Sequence, residues 1–266
     1  EDPAREKKLT AMLLEEGVAG MIIVPTNADV EIYRPLFRSG TPCVVIDRQL
    51  QIPDLDMVLV NGAAGAGLAV DHLVSLGHSR IGYVGGMKHL SVMHEREQGY
   101  LSALIKHRLP RVDEYLREGN NRQDGGYASV CELLSLELPP SAILIANNLM
   151  TLGGLQAIHE TGLEIPEQVS LVGFDDMAWA ASLRPPLTVV AQPAYEMGEI
   201  SASILLDRIH DPDLPHQTIV LDTKLIVSWS KGHPQLHMRE HLKSPMFHFI
   251  EESEEQFLEH IKQGTY

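Results

Sequence analysis

Seven short apolar runs punctuate the chain, and most are separated by amphipathic stretches. The runs are 20–25 (GMIIVP), 42–47 (PCVVID), 57–61 (MVLVN), 80–85 (RIGYVG), 142–146 (AILIA), 169–174 (VSLVGF) and 187–191 (LTVVA). Nearly all are continuous rather than alternating, as expected of strands covered on both faces. Helical patterning fills 4–16, 64–76, 95–107, 126–136, 149–160 and 195–209. In the last, Met197, Ile200, Ile204, Leu205 and Ile209 trace one face at helical spacing. Gly17, Gly77 and Gly162 each follow a helical stretch, where a left-handed cap belongs. Strand alternating with helix predicts an α/β fold built on doubly wound parallel sheets.

Two features disturb this regularity. The pattern opens on a helix, where a complete α/β unit opens on a strand. Residues 231–266 carry no strand pattern and hold five of the 13 histidines. Within them Ser244-Pro245 reads as N-cap plus first-turn proline, and Met246, Ile250, Phe257 and Ile261 follow helical spacing. A helical tail packing on the body or on a partner is expected. Its histidines lack a tight i, i+4 pair backed by carboxylates, so they read as solvated and no metal is expected.

A length of 266 residues allows one large domain or two lobes of about 100–150 residues. Apolar residues at 44% with only 5% aromatics suit a core of Val, Leu, Ile and Ala. The net charge of −15 repels phosphate backbones, so this stretch by itself should not grip nucleic acid. Cys43 and Cys131 show no metal or redox spacing and are expected to be buried free thiols of a reducing cytosol. No apolar run reaches the roughly 18 residues of a membrane span, and no export signal is visible; the expectation is a cytoplasmic protein with no membrane partner.

No catalytic constellation stands out. Gly62-Ala-Ala-Gly-Ala-Gly67 follows a strand and opens a helix, but its order is not that of a dinucleotide loop. Its small residues are expected to bring the helix close to the sheet, and no cofactor is expected. What does recur is a polar residue just beyond a strand. Asp47 closes one run, Asn147 and Asn148 another, Asp175 and Asp176 a third, and Gln192 a fourth; Arg96 follows RIGYVGG. In open α/β sheets ligands gather beyond the carboxyl ends of the strands. Carboxylates, planar amides and a guanidinium suit a polyhydroxylated or heterocyclic ligand.

Several strings then resemble the lactose-repressor (LacI/GalR) family of bacterial transcription regulators. They are DRQLQIPDLDMVLVNGAAGAGLAVDHLVSLGHSRIGYVGG, HEREQGYLSAL, PPSAILIANNLMTLGGLQAI, GLEIPEQVSLVGFDDMAWAASLRPPLTVVAQPAYEMGEISASILLDRI and VLDTKLIVSWS, in family order over about residues 1–230. The resemblance implies two similar lobes of the periplasmic-binding-protein type, joined by crossovers near Val60, 189–192 and Leu221. Residues 1–60 plus 190–220 would form the N-terminal lobe, and 61–189 plus 221–230 the C-terminal lobe. By the same resemblance Asp47, Arg96, Asn147, Asp175 and Gln192 hold an effector between the lobes, and Leu152 and Leu183 face the partner of a homodimer. Two positions depart from the pattern. Asn148 replaces the family's usual acid, and Asn121 stands where many sugar-binding members present an aromatic ring.

The resemblance implies a ligand-responsive regulator, a repressor, whose effector is a sugar, a sugar derivative or a purine-like molecule. Operator DNA would be bound through a helix-turn-helix that this stretch lacks, together with the first strand–helix unit. A periplasmic-type solute-binding protein is the alternative, and a sugar hydrolase using Asp175 and Asp176 a more distant one. Arg96→Ala and Asp175→Ala are expected to weaken effector binding with little loss of fold.

Overall fold

The computed structural model describes residues 2–26 and 30–227. The expected helix in the 231–266 tail lies outside the described residues.

Two sheets divide the strands. The first is built from β1 (Met21–Ile23), β2 (Cys43–Ile46), β3 (Asp56–Val60) and β9 (Thr218–Leu221), in the order β1-β2-β3-β9, all parallel. The second contains β4 (Ile81–Gly85), β5 (Leu116–Glu118), β6 (Ala142–Ile145), β7 (Ser170–Phe174), β8 (Thr188–Ala191) and β10 (Lys224–Ile226). Its order is β10-β8-β7-β6-β4-β5, and only β10 runs antiparallel. The chain passes between the sheets three times, after Val60, after Ala191 and after Leu221.

Helices cover both faces of the second sheet. Gly82 of β4 faces Leu133 of α5 (Gln123–Leu134), while the next residue, Tyr83, stacks at 5.0 Å on Tyr100 of α4 (Ser91–Lys106). Successive strand residues point to opposite faces, so α4 and α5 lie on opposite sides. Helix α3 (Gly62–Ser75) pairs with α4, and α6 (Asn148–Glu160) pairs with α5. Burial on both faces explains the unbroken apolar runs, and β4, β6 and β7 are buried throughout. The first sheet follows the same rule. Val45, Met57 and Leu59 pack under Tyr33 and Leu50, while Val44, Val58 and Val60 meet Met197 and Ile204 of α7 (Ala194–His210).

The glycine-rich turn has a packing role. Asn61 caps α3 by accepting from the Ala64 amide, so the helix starts at Gly62 rather than at residue 64. A Cβ on Gly65 would sit 2.6 Å from Thr223 Oγ1, 2.7 Å from Val190 and 3.0 Å from Phe174. All three crossovers therefore meet at a point that only glycine fits. Gly17, Gly77 and Gly162 have φ of 69°, 91° and 74°, as their cap positions require.

Elsewhere the elements depart from the pattern. Helix α4 begins at Ser91, four residues before the expected start, with Leu90 as an extended cap that makes no side-chain bond. Cys43 is buried, and burial pushes its thiol up to about 12, but Cys131 is only half-buried. At the outer edge of the first sheet, Ile22 and Val24 are exposed. Together with Leu9 and Leu13 of α1 (Pro3–Glu15) they line an open groove of 600 Å³.

His78 ties three segments together. Its ring nitrogens lie 2.9 Å from Ser141 Oγ and 2.9 Å from Ser170 Oγ. Burial, reinforced by Arg80, holds its pKa below the ordinary value of about 6.5. The unfolded chain therefore binds this proton first, and stability should fall as pH drops below about 6.5, flattening under the folded pKa. Urea titrations of the native chain and His78→Gln across pH 5–8 are expected to show a shallower pH dependence in the variant. Identical slopes would contradict the assignment.

Candidate functional site between the two sheets

Beyond the carboxyl ends of the strands lies a cavity of 330 Å³. It is lined by Asp47, Arg48, Val92, Met93, Arg96, Asn120, Asn121, Arg122, Asn147, Asn148, Leu149, Asp175 and Gln192. The five residues expected to hold an effector converge here together with Asn121, and they come from both sheets. Asp47 follows β2 of the first sheet. Asn147 and Asp175 follow β6 and β7 of the second, and Gln192 stands on the crossover after β8.

Backbone geometry marks the site as well. Five non-glycine residues have positive φ among the described residues, and three of them, Asp47 (66°), Asn121 (59°) and Asp175 (73°), line the cavity. Asp and Asn tolerate the left-handed region better than other side chains, and such conformations cluster at ligand sites. The turn separates Asp175 from Asp176, which does not line the cavity, so the two acids are not a pair flanking one bond.

Each wall group has its own support. Arg96 is 4% exposed; its Nη1 donates to the Ala146 carbonyl at 2.6 Å, and its guanidinium lies 3.9 Å over the Phe174 ring. It sits within α4, not at the helix start. Its buried Nε has no hydrogen-bond partner, and neither does the buried Oε1 of Gln192. The other end of that amide, Nε2, donates to Asp175 Oδ1. Asn147 is a cap as well as a wall residue, since its Oδ1 accepts from the Met150 amide at 2.8 Å and its Nδ2 donates to the Asn121 carbonyl at 3.3 Å. Asn121 Oδ1 in turn accepts from the Met87 amide at 3.1 Å. Close by, Glu95 has its pKa raised, first by burial.

Arg48 and Arg122 also line the cavity, each one residue beyond a position that the sequence marks, Asp47 and Asn121. Arg48 donates to the Pro25 carbonyl at 2.7 Å and lies 3.7 Å from Asp47. The lining contains no aromatic ring. Leu152 and Leu183 lie outside this cavity. Leu152 is half-buried on α6, whereas Leu183 lines a separate groove of 590 Å³ with Leu155, Ile158, Leu163, Pro185 and Pro186. That groove is larger but collects no residue from the first sheet.

Residues 70–230 match the family model described as a periplasmic binding protein-like domain. The chain is 32% identical to the HTH-type transcriptional repressor PurR of Mannheimia succiniciproducens, over 85% of this chain and 68% of that protein. It is 34% identical to the HTH-type transcriptional regulator reg1 of Streptomyces lividans, over the same shares of each. The chain belongs to the LacI family of transcriptional regulators. The crystal structure of a LacI family regulator from Enterococcus faecium with bound ribose superposes with a TM-score of 0.77 at 29% identity, covering 85% of this chain and 84% of that one. Relatives of this kind do not favour the solute-binding-protein alternative. The chain spans 62–68% of the length of the curated relatives it matches. No described helix is long and apolar enough to cross a membrane.

Proposed function

We propose that this chain is the effector-binding and dimerisation core of a ligand-responsive cytoplasmic repressor. Residues 1–60 with 192–221 act as one lobe and 61–191 with 222–230 as the other, because Val190 and Ala191 pair within the second sheet and Leu221 within the first, which moves the expected bounds at 190 and 221. A small molecule is held between them by Asp47, Arg96, Asn121, Asn147, Asp175 and Gln192. The intact protein, paired with a second copy through the faces of Leu152 and Leu183, binds operator DNA through its helix-turn-helix. It catalyses no reaction.

One observation carries this reading: a single polar cavity draws its wall from both sheets and from a crossover. A ligand there touches groups whose separation depends on how the lobes are turned. It therefore binds one orientation more tightly than the other, which is the condition for shifting the equilibrium. The packing of all three crossovers at Gly65 supplies a compact pivot.

Asp175→Asn is the cleaner test of the wall, because asparagine keeps the shape and tolerates φ of 73°, which alanine does not. Losing a charge-assisted hydrogen bond costs about 1.5–3 kcal/mol, or roughly 10- to 100-fold in affinity. Sugars, sugar acids, polyols and purine nucleosides are first screened by thermal shift, and the molecules that bind are titrated calorimetrically into both proteins. Unchanged affinity for every one of them would refute the placement of the site.

A further inference from the structure

We propose that the cavity selects a small polyol carrying one anionic group, and that Arg122 at its mouth is the selecting residue. This inference rests on the effector reading of the cavity.

Three guanidinium groups, Arg48, Arg96 and Arg122, face two carboxylates, Asp47 and Asp175. Asp47 is paired with Arg48, and Asp175 accepts from Gln192. Neither Arg96 nor Arg122 has a carboxylate within ion-pair distance among the described residues. The lining itself thus carries one more cation than anion in a chain whose net charge is −15, with Glu95 half-buried close by.

Arg96 is almost fully enclosed, spends Nη1 on a carbonyl and leaves Nε unpartnered. Glu95 acts on it electrostatically without forming an ion pair, and a ligand anion at hydrogen-bond distance offsets the remaining cost of burying the guanidinium. Arg122 differs in being exposed at the rim. Asn121, with φ of 59°, turns the chain just before it; the Arg122 backbone amide donates to Asn120 Oδ1, and the Arg122 guanidinium makes no hydrogen bond or ion pair among the described residues. A long cation left unengaged at the mouth is free to fork onto a carboxylate or phosphate as that group enters.

The remaining lining sets the rest of the ligand. The helices α4, α5 and α6 all begin at this cavity, contributing Val92 and Met93, the cap Arg122, and the cap Asn147 with Asn148. Their positive ends add to the same sign of potential. Gln192 Oε1 stands ready to accept from a hydroxyl. Without an aromatic ring in the wall, neither a neutral pyranose face nor a purine has a surface on which to stack. The volume of 330 Å³ lies near the lower end for ligand sites, which run from about 300 to 1,000 Å³.

The test compares D-gluconate, D-glucuronate and D-galacturonate with sorbitol, D-glucose and D-galactose, with D-glucose 6-phosphate as the phosphate arm. Calorimetry on the chain is expected to give at least one carboxylate or the phosphate tenfold or more over its neutral counterpart, with affinity falling as salt rises. Arg122→Gln is expected to cut that acid-to-neutral ratio about tenfold, and Arg122→Lys to restore most of it. Arg122 is exposed, so these variants do not endanger the fold. Preference for the phosphate over the carboxylates would support the anion and identify its source. Neutral sugars binding as tightly as their acids, or no member binding, would overturn the inference. An unchanged ratio in Arg122→Gln would overturn the role of Arg122. If an acid binds but Asp175→Asn and Arg96→Gln leave its affinity untouched, the effector cavity itself is misplaced.

Discussion

Arg208→Ala is expected to remove about 3–5 kcal/mol of stability, the typical cost of breaking a buried ion pair by deleting one partner. Arg208 lies near the end of α7, with its side chain 7% exposed, and Asp56 at the start of β3 has its side chain 1% exposed. Arg208 Nε donates to Asp56 Oδ2 at 3.0 Å, and Nη2 donates to Oδ1 at 3.3 Å. The same guanidinium donates to the carbonyls of Pro212, Leu214 and Pro215, while Asp56 Oδ1 accepts from the Gln217 amide at 3.0 Å. One cation thus fixes the helix end, the loop after it and the entry to β9. Alanine leaves the buried Asp56 with only His216 Nδ1 at 3.6 Å and the Gln217 amide as partners, and takes the donor from three carbonyls. The double variant Arg208→Met/Asp56→Leu should recover much of the loss, because it removes both charges. Urea unfolding measures both; a loss under about 1 kcal/mol for Arg208→Ala would show that the pair is not an anchor.

Arg96→Ala carries the largest expected effect on binding, about 100-fold or more. Ligand loses a buried charged donor, and charge-assisted bonds are roughly twice as strong as neutral ones. The expectation of little loss of fold does not fit the structure, since Arg96 is enclosed, holds the Ala146 carbonyl and covers Phe174. An orphaned buried carbonyl alone costs about 1–3 kcal/mol. Arg96→Lys separates the two effects. Lysine keeps the charge but not the planar fork or the flat contact with the ring, so affinity should still fall at least tenfold while stability recovers in part. Calorimetry with the tightest binder from the thermal-shift screen, paired with urea unfolding, reads both. Full affinity in Arg96→Lys would mean that charge alone suffices there.

Much of this is legible in the sequence, for a definite reason. Strands buried on both faces must be apolar throughout, so 42–47, 142–146 and 169–174 declare themselves. Polar residues directly after such runs are equally conspicuous, and that is how Asp47, Asn147, Asp175 and Gln192 were found. The missed elements lack those signals. Strand β5 is three residues, Leu116-Arg117-Glu118, at a sheet edge, and β9 alternates exposed and half-buried positions. The helix at Arg34–Ser39 is six residues long, too short to show a period. Arg48 and Arg122 hid for another reason. Arginine beside a turn is usually a solvated surface residue, and only the shared cavity separates these two from that background. Resemblance to the family placed Leu152 and Leu183; hydrophobic pattern alone would not have distinguished them from core positions.

The two sheets end very differently at their margins. Strand β5 closes one with a short, charged segment, the usual protection against further pairing. Strand β1 closes the other beside exposed Ile22 and Val24 and an apolar groove. Among the described residues β1 has a strand neighbour on one side only, so its open side is where a further extended segment would add in parallel. Ile22→Lys places a charge on that side of the smaller sheet and is expected to lower self-association in concentrated solution, read by light scattering against the native chain.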